Sequence, residues 1–175
     1  MSLVVRRSKI HNAGCYTNRP IKKGTQIIEY TGPRITVREA NRKYKHATRT
    51  YLFGLDDEKH VIDGEGIAAF MNHSCDPNCE PDEIGGRVWI FAVRNIKPGE
   101  ELAYDYSLYD GELDDESPCH CGAKKCRGTM YSEWELKRRA KLRKKMALAK
   151  KKREAARKKT ARGKKSVKKK SAKKK

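Results

Sequence analysis

The sequence predicts a mostly β body of short strands followed by a basic helix. Three observations carry this reading. β-Branched and aromatic runs only a few residues long recur through the N-terminal half, each bounded by turn-forming residues. Ser132-Glu133-Trp134-Glu135 fits a helix capping box, and from there to about Lys159 the chain holds no glycine or proline. The charge is also divided along the chain. Of the net +20, residues 133–175 carry 23 Lys/Arg against 3 Asp/Glu, while residues 1–132 carry 19 of each.

Taken in order, Gln26–Tyr30, Thr50–Leu55, His60–Asp63 and Arg87–Val93 read as strands. Lys23-Gly24, Thr31-Gly32-Pro33, Asp56-Asp57, Gly85-Gly86 and Pro98-Gly99 supply the turns. Val37–His46 reads as one short helix. Ser132 is placed as N-cap of the basic helix, with Glu135 at its third position. Past Gly163 the lysine-rich run is too polar to bury a core and is expected to be disordered. The 175 residues thus divide into a body over 1–108, an acidic loop and cysteine motif over 109–132, and a basic helix and tail over 133–175. A body of about 130 residues is long enough to bury a core.

The neutral body and basic tail point to a polyanion partner for residues 133–175, with DNA first and a membrane surface second. The plainer alternative is a solvated helix that aids solubility. Met1–Arg7 is too short an apolar run for a signal peptide, and nothing approaches about 18 consecutive apolar residues. A soluble intracellular monomer, without membrane insertion, is expected. In a reducing compartment the six cysteines favour metal over disulfides.

The chemistry concentrates in three segments: Phe70-Met71-Asn72-His73-Ser74-Cys75-Asp76-Pro77-Asn78-Cys79, Glu101-Leu102-Ala103-Tyr104-Asp105-Tyr106, and Cys119-His120-Cys121-Gly122-Ala123-Lys124-Lys125-Cys126-Arg127-Gly128. The third alone is a zinc half-site, since its three thiolates grip one face of a tetrahedral ion. Spacing leaves the fourth ligand open among Cys75, Cys79, Cys15 and His120. A redox cluster is the alternative.

In that order the three segments resemble the SET-domain protein lysine methyltransferases with a post-SET motif, over about residues 3–132. Ser8–Tyr16 resembles the family's opening cofactor loop, with Asn12 where many members have glycine. Ile21–Gly32 resembles its next turn and strand. The resemblance implies a β-clip fold in which the segment ending at Tyr106 threads under the loop at Asn72-His73 as a pseudoknot. It implies S-adenosylmethionine as methyl donor, held by Asn72, His73, Tyr51 and Tyr106 and by the backbone of Ala13, Gly14, Cys15 and Tyr16, where Gly14 permits close approach. It makes Cys75 the fourth ligand of a structural zinc ion with Cys119, Cys121 and Cys126. Tyr30, Tyr104 and Tyr106 become the catalytic tyrosines of a dry lysine channel, with Tyr106 supplying the essential hydroxyl. Tyrosine rather than phenylalanine at 104 resembles the lower-methylation pattern, mainly mono- with some di-methylation.

A basic, histone-like protein is the expected substrate, and the acidic run Asp110–Glu116 is suited to steering it. The expected location is the nucleus and chromatin, or a bacterial nucleoid. A DNA-binding basic protein with a catalytically silent SET-like body is the second reading, and a structural zinc adaptor the third. The joint presence of Asn72, His73, Tyr104 and Tyr106 argues for activity.

Overall fold

The computed structural model describes residues 2–47, 49–109 and 111–171, with side chains as far as Lys158. The strands are β1 (Leu3–Arg7), β2 (Ala13–Thr17), β3 (Gln26–Tyr30), β4 (Arg34–Thr36), β5 (Leu52–Gly54), β6 (His60–Asp63), β7 (Asn72–His73), β8 (Cys79–Ile84), β9 (Arg87–Ala92) and β10 (Glu101–Tyr104). The helices are α1 (Val37–Lys43) and α2 (Glu133–Ser171), with a 3₁₀ turn over Ile67–Phe70. The strands form three small sheets, ordered β1-β2-β10-β7, β3-β9-β8 and β4-β6-β5.

Alternation positions the core. On β9, Val88, Ile90 and Ala92 point inward and are almost fully buried, while Arg87 is exposed. They join Ile21, Ile27, Met71, Ile96 and Leu102 in one cluster, and Tyr30, Leu55, Ile62 and Ala68 in a second. β10 is shared between two partners. It pairs antiparallel with β2 through Glu101 and Leu102, then parallel with β7 through Ala103 and Tyr104. The Asn78 side chain accepts from the Ala103 amide and donates to the Glu101 carbonyl, while the Asn78 amide donates to the Ala103 carbonyl. This strap fixes β10 at the place where the resemblance locates the crossing.

Helix α1 starts as a complete capping box between Thr36 and Glu39. It closes at Lys43 rather than His46, because the Lys43 ammonium and the Tyr44 hydroxyl both turn to the buried Asp63 carboxylate. Those two hydrogen bonds hold Asp63 below the usual carboxylate range. The strand expected from Thr50 begins at Leu52, since the Tyr51 carbonyl accepts from the Tyr30 hydroxyl and the Gly64 amide.

The chain forms two compact units, one of residues 1–107 with 116–130, the other of 108–115 with the segment from 131 onward. The acidic loop therefore groups with the basic helix and not with the cysteine motif. The reason lies in Arg139, which is 3% exposed and donates to the carbonyls of Gly111, Glu112 and Asp115. Its guanidinium lies 3.7 Å from the Tyr131 ring centroid, and the Tyr131 hydroxyl donates to Asp115. Asp110 lies outside the described residues.

Only half of the expected capping box forms at α2. The Glu135 amide donates to Ser132 Oγ, but the fully buried Glu135 carboxylate pairs with Arg138 and Arg139 instead of returning to Ser132. The Ser132 amide finds the Leu108 carbonyl. The helix then runs past Gly163 to Ser171, where the composition predicts disorder. Lysine and alanine are strong helix formers, and a single glycine costs only about 1 kcal/mol.

Candidate active site and metal centre

Four thiols meet in the first unit. The Sγ atoms of Cys75, Cys119, Cys121 and Cys126 all lie within 4.8 Å of one another. Cys75 Sγ is 3.7 Å from Cys119 Sγ and 4.0 Å from Cys126 Sγ. A tetrahedral zinc with Zn–S bonds of about 2.3 Å requires sulfurs about 3.8 Å apart, so the donor set fits the ion. The amides of Cys121, Gly128 and Arg127 point at Cys119, Cys126 and Cys75 sulfurs respectively. Burial raises the Cys121 thiol, but hydrogen bonds from the Cys75 and Ala123 amides and neighbouring thiols outweigh it and bring it to about 6. The other candidates are elsewhere. Cys15 and Cys79 are fully buried in the core, where burial pushes both thiols up to about 12, and His120 is exposed.

The thiolate cluster touches the Asn72-His73 segment. His73 Nδ1 accepts the Tyr106 amide at 3.1 Å, which leaves the ring proton on Nε2, 3.3 Å from Cys75 Sγ. Burial lowers the His73 pKa, so the ring is neutral. Arg127 follows the last cysteine and makes a two-pronged contact with Asp105, at 2.6 and 2.8 Å. Burial raises the Asp105 carboxyl, but these bonds leave it below its ordinary value.

The tyrosines line up along one aromatic chain. Ring centroids are 5.3 Å apart for Tyr30–Phe53, 6.1 Å for Phe53–Tyr104, 5.0 Å for Tyr104–Tyr106 and 5.4 Å for Tyr106–His73. Tyr30 donates to the Tyr51 carbonyl and Tyr106 to the Met71 carbonyl. The Tyr104 hydroxyl has no hydrogen-bond partner among the described residues and yet is not sealed from solvent. Burial raises all three phenol pKa values. Tyr51 is half exposed, with its ring 5.6 Å from that of Phe70.

The candidate cofactor loop is positioned by β2. Asn12 takes φ 39°, a left-handed conformation that asparagine tolerates where many residues do not. Cys15 and Tyr16 lie inside the sheet, paired with Leu102 and Glu101, while Ala13 and Gly14 pair with β1. The Ala13 carbonyl accepts from Asn72 Nδ2 at 2.9 Å. Gly14 also admits a close neighbour from the protein itself. A Cβ there would lie 2.1 Å from Glu101 Oε1, so the missing side chain makes room for a carboxylate of the protein itself.

Sequence reasoning missed four residues here: Glu101, Phe53, Asp105 and Arg127. For three of them the signal was positional, since Glu101 and Asp105 stand inside the second motif and Arg127 follows the last cysteine of the third. Nothing in a local pattern says which partners they find.

A β-rich body of three small sheets here joins a strand-crossing tyrosine pair to a cluster of four thiols. The chain belongs to the SET-domain family, whose model matches residues 12–107. It is 44% identical over 138 residues to the H3 lysine-4-specific histone-lysine N-methyltransferases of Eremothecium gossypii and Saccharomyces cerevisiae, covering 71% of this chain and 14% and 13% of those proteins. It is 40% identical over 136 residues to human histone-lysine N-methyltransferase 2D, covering 71% of this chain and 2% of that protein. The chain thus spans less than a sixth of the length of these relatives.

Proposed function

We propose that this chain is an S-adenosylmethionine-dependent protein-lysine N-methyltransferase acting on a basic, histone-like protein, mainly to the mono-methyl state. The observation that carries it is the pairing of β7 with β10, which sets Asn72 and His73 beside Tyr104 and Tyr106 and next to the four thiols. The names of the relatives make a histone H3 tail the first substrate to try. When bound, S-adenosylmethionine supplies an electrophilic methyl group on a sulfonium.

The protein's part is to present a neutral amine. A lysine in water has a pKa near about 10.4 and is almost wholly protonated at neutral pH. The aromatic run of buried Tyr104 between partly buried Phe53 and Tyr106 is a poor host for ammonium and lowers that pKa by desolvation. The tyrosines do not act as phenolate bases, because burial keeps their hydroxyls protonated. The Tyr106 and Tyr30 protons are spent on backbone carbonyls, which leaves oxygen lone pairs to accept from an amine N–H and orient it. Zinc in the thiolate cluster would hold residues 119–127 against Cys75 and His73.

The test is mass spectrometry of histone H3, with S-adenosylmethionine, beside wild-type and Tyr104→Phe protein. Wild type should add mainly one methyl per lysine. The hydroxyl of Tyr104 is free to hold a water that crowds further methyls, so Tyr104→Phe should shift the product toward di- and tri-methyl. Absence of any transfer to basic proteins removes the reading, and an unchanged product pattern removes the role of Tyr104.

The basic helix supports a second component, binding to DNA. Every residue of α2 from Lys144 to Lys158 is exposed, and 8 of those 15 are Lys or Arg. Duplex binding by the full chain should weaken steeply with salt, in proportion to the phosphates neutralised. A chain ending at residue 144, which keeps Arg139 and Arg143 on the acidic loop, should lose most of that affinity in a fluorescence anisotropy titration. Location at chromatin or a nucleoid follows from this reading.

A further inference from the structure

Glu101 opens β10 and collects more polar contacts than any motif residue around it. Its carboxylate accepts from Ser8 Oγ at 2.8 and 2.9 Å, from the Tyr16 hydroxyl at 2.8 Å and from Asn72 Nδ2 at 2.7 Å. Ser8 Oγ in turn accepts the Ile10 amide at 2.9 Å, inside the candidate cofactor loop. The backbone leaves space for this carboxylate at Gly14. A carboxylate fed by two hydroxyls and an amide is more than a strand terminus requires.

The consequence falls on Asn72, which is 8% exposed. An asparagine amide has a donor end and an acceptor end, and its orientation is set by its neighbours. Around Nδ2 lie the Ala13 carbonyl at 2.9 Å, the His11 carbonyl at 3.4 Å and Glu101 Oε1 at 2.7 Å. All three only accept. Reversing the amide would bring Oδ1 against an anion and two carbonyl oxygens, so only the NH₂ end fits there. Asn72 Oδ1 is therefore turned the other way, and it takes no hydrogen bond from the described residues.

We propose that Glu101 is a positioning residue that sets the polarity of the Asn72 amide, so that Oδ1 is fixed as an acceptor for the α-ammonium group of the methyl donor. The proposal rests on the methyltransferase reading, in which Asn72 faces the cofactor. It assigns Glu101 a part in recognising one functional group of the ligand, acting through Asn72 and not by contact.

Calorimetry on the full chain tests this with two ligands. S-Adenosylhomocysteine carries the α-ammonium group, and 5′-methylthioadenosine lacks the whole amino-acid end. Glu101→Met has similar bulk and accepts nothing from Asn72, so S-adenosylhomocysteine should bind about tenfold more weakly or worse, the order expected for one lost charge-assisted hydrogen bond. 5′-Methylthioadenosine should bind both proteins within about threefold, since only its thioether and nucleoside are read. Glu101→Gln keeps one acceptor for Asn72 and should restore most of the affinity for S-adenosylhomocysteine. Glu101→Thr is too short to reach Asn72 and serves if Glu101→Met does not fold. Equal losses for both ligands would reduce Glu101 to a structural residue and overturn the proposal, as would unchanged binding of S-adenosylhomocysteine. Failure of the wild-type chain to bind S-adenosylhomocysteine at all would overturn the methyltransferase reading together with it.

Discussion

Cys75→Ser should strip the protein of zinc and of methyl transfer together. Metal analysis should find about one zinc per wild-type chain and almost none in the variant, because three cysteines remain of a tetrahedral set of four. The magnitude is large. Structural zinc contributes about 10–16 kcal/mol in small zinc-dependent folds, whereas a whole domain is stable by only about 5–15 kcal/mol. Residues 116–130 hold no regular strand or helix, so beyond the Arg127–Asp105 contact and a few backbone hydrogen bonds the metal would carry much of their order. The effect reaches the site because His73 Nε2 lies 3.3 Å from Cys75 Sγ, while Nδ1 of the same ring accepts the Tyr106 amide. Binding of S-adenosylhomocysteine should therefore weaken by about tenfold or more, the range seen when partners next to a metal ligand are lost. A chelator should reproduce this in wild type, and added zinc should reverse it there but not in Cys75→Ser. Cys79→Ser is the control. It replaces a fully buried core thiol outside the cluster, so it should lower the melting temperature while leaving zinc content unchanged. Retention of zinc by Cys75→Ser would send the fourth ligand elsewhere.

These residues also show what a sequence discloses. β-Branched and aromatic runs between turn-formers marked β3, β6 and β9 with their bounds nearly right, because those residue types suit a pleated, half-buried strand. The order of three motifs pointed to the tyrosines and the thiols. Local pattern stops short of the polar partners. Glu101 meets Ser8 across 93 residues, and Cys75 meets Cys119 across 44. Such pairs are made by topology, and periodicity reports which face is apolar but not which polar group arrives opposite it. The start of the basic helix makes the same point. A charge run reads as solvated, yet Glu135 is fully buried and Arg139 nearly so, because each finds partners on a loop twenty or more residues away or one turn along the helix. Gly14 was legible as a position needing a small residue. The occupant of that space, a carboxylate, was not.

Tyr106→Phe should reduce kcat by about 10²-fold or more while leaving the affinity for S-adenosylhomocysteine within about threefold, the pattern of a lost alignment and not a lost binding site. The hydroxyl removed is one of two that donate to backbone carbonyls beside the aromatic chain. Its loss frees the Met71 carbonyl and costs stability about 1 kcal/mol, too little to unfold a domain. The ring stays, with its contacts to Tyr104 at 5.0 Å and His73 at 5.4 Å, so the channel remains apolar and the lysine is still desolvated. On the proposed function, what disappears is the oxygen lone pair that would orient the amine for transfer. Tyr30→Phe separates packing from alignment. Its ring is 3% exposed in the second core cluster and its hydroxyl reaches the Tyr51 carbonyl, so its main effect should fall on stability, with a smaller drop in kcat. Rapid-quench measurement of a single turnover on a histone H3 peptide reads the chemical step directly for all three proteins. Equal rates for wild type and Tyr106→Phe would make the hydroxyl a packing group, and the alignment would then have to come from Tyr30, whose variant would show the larger loss.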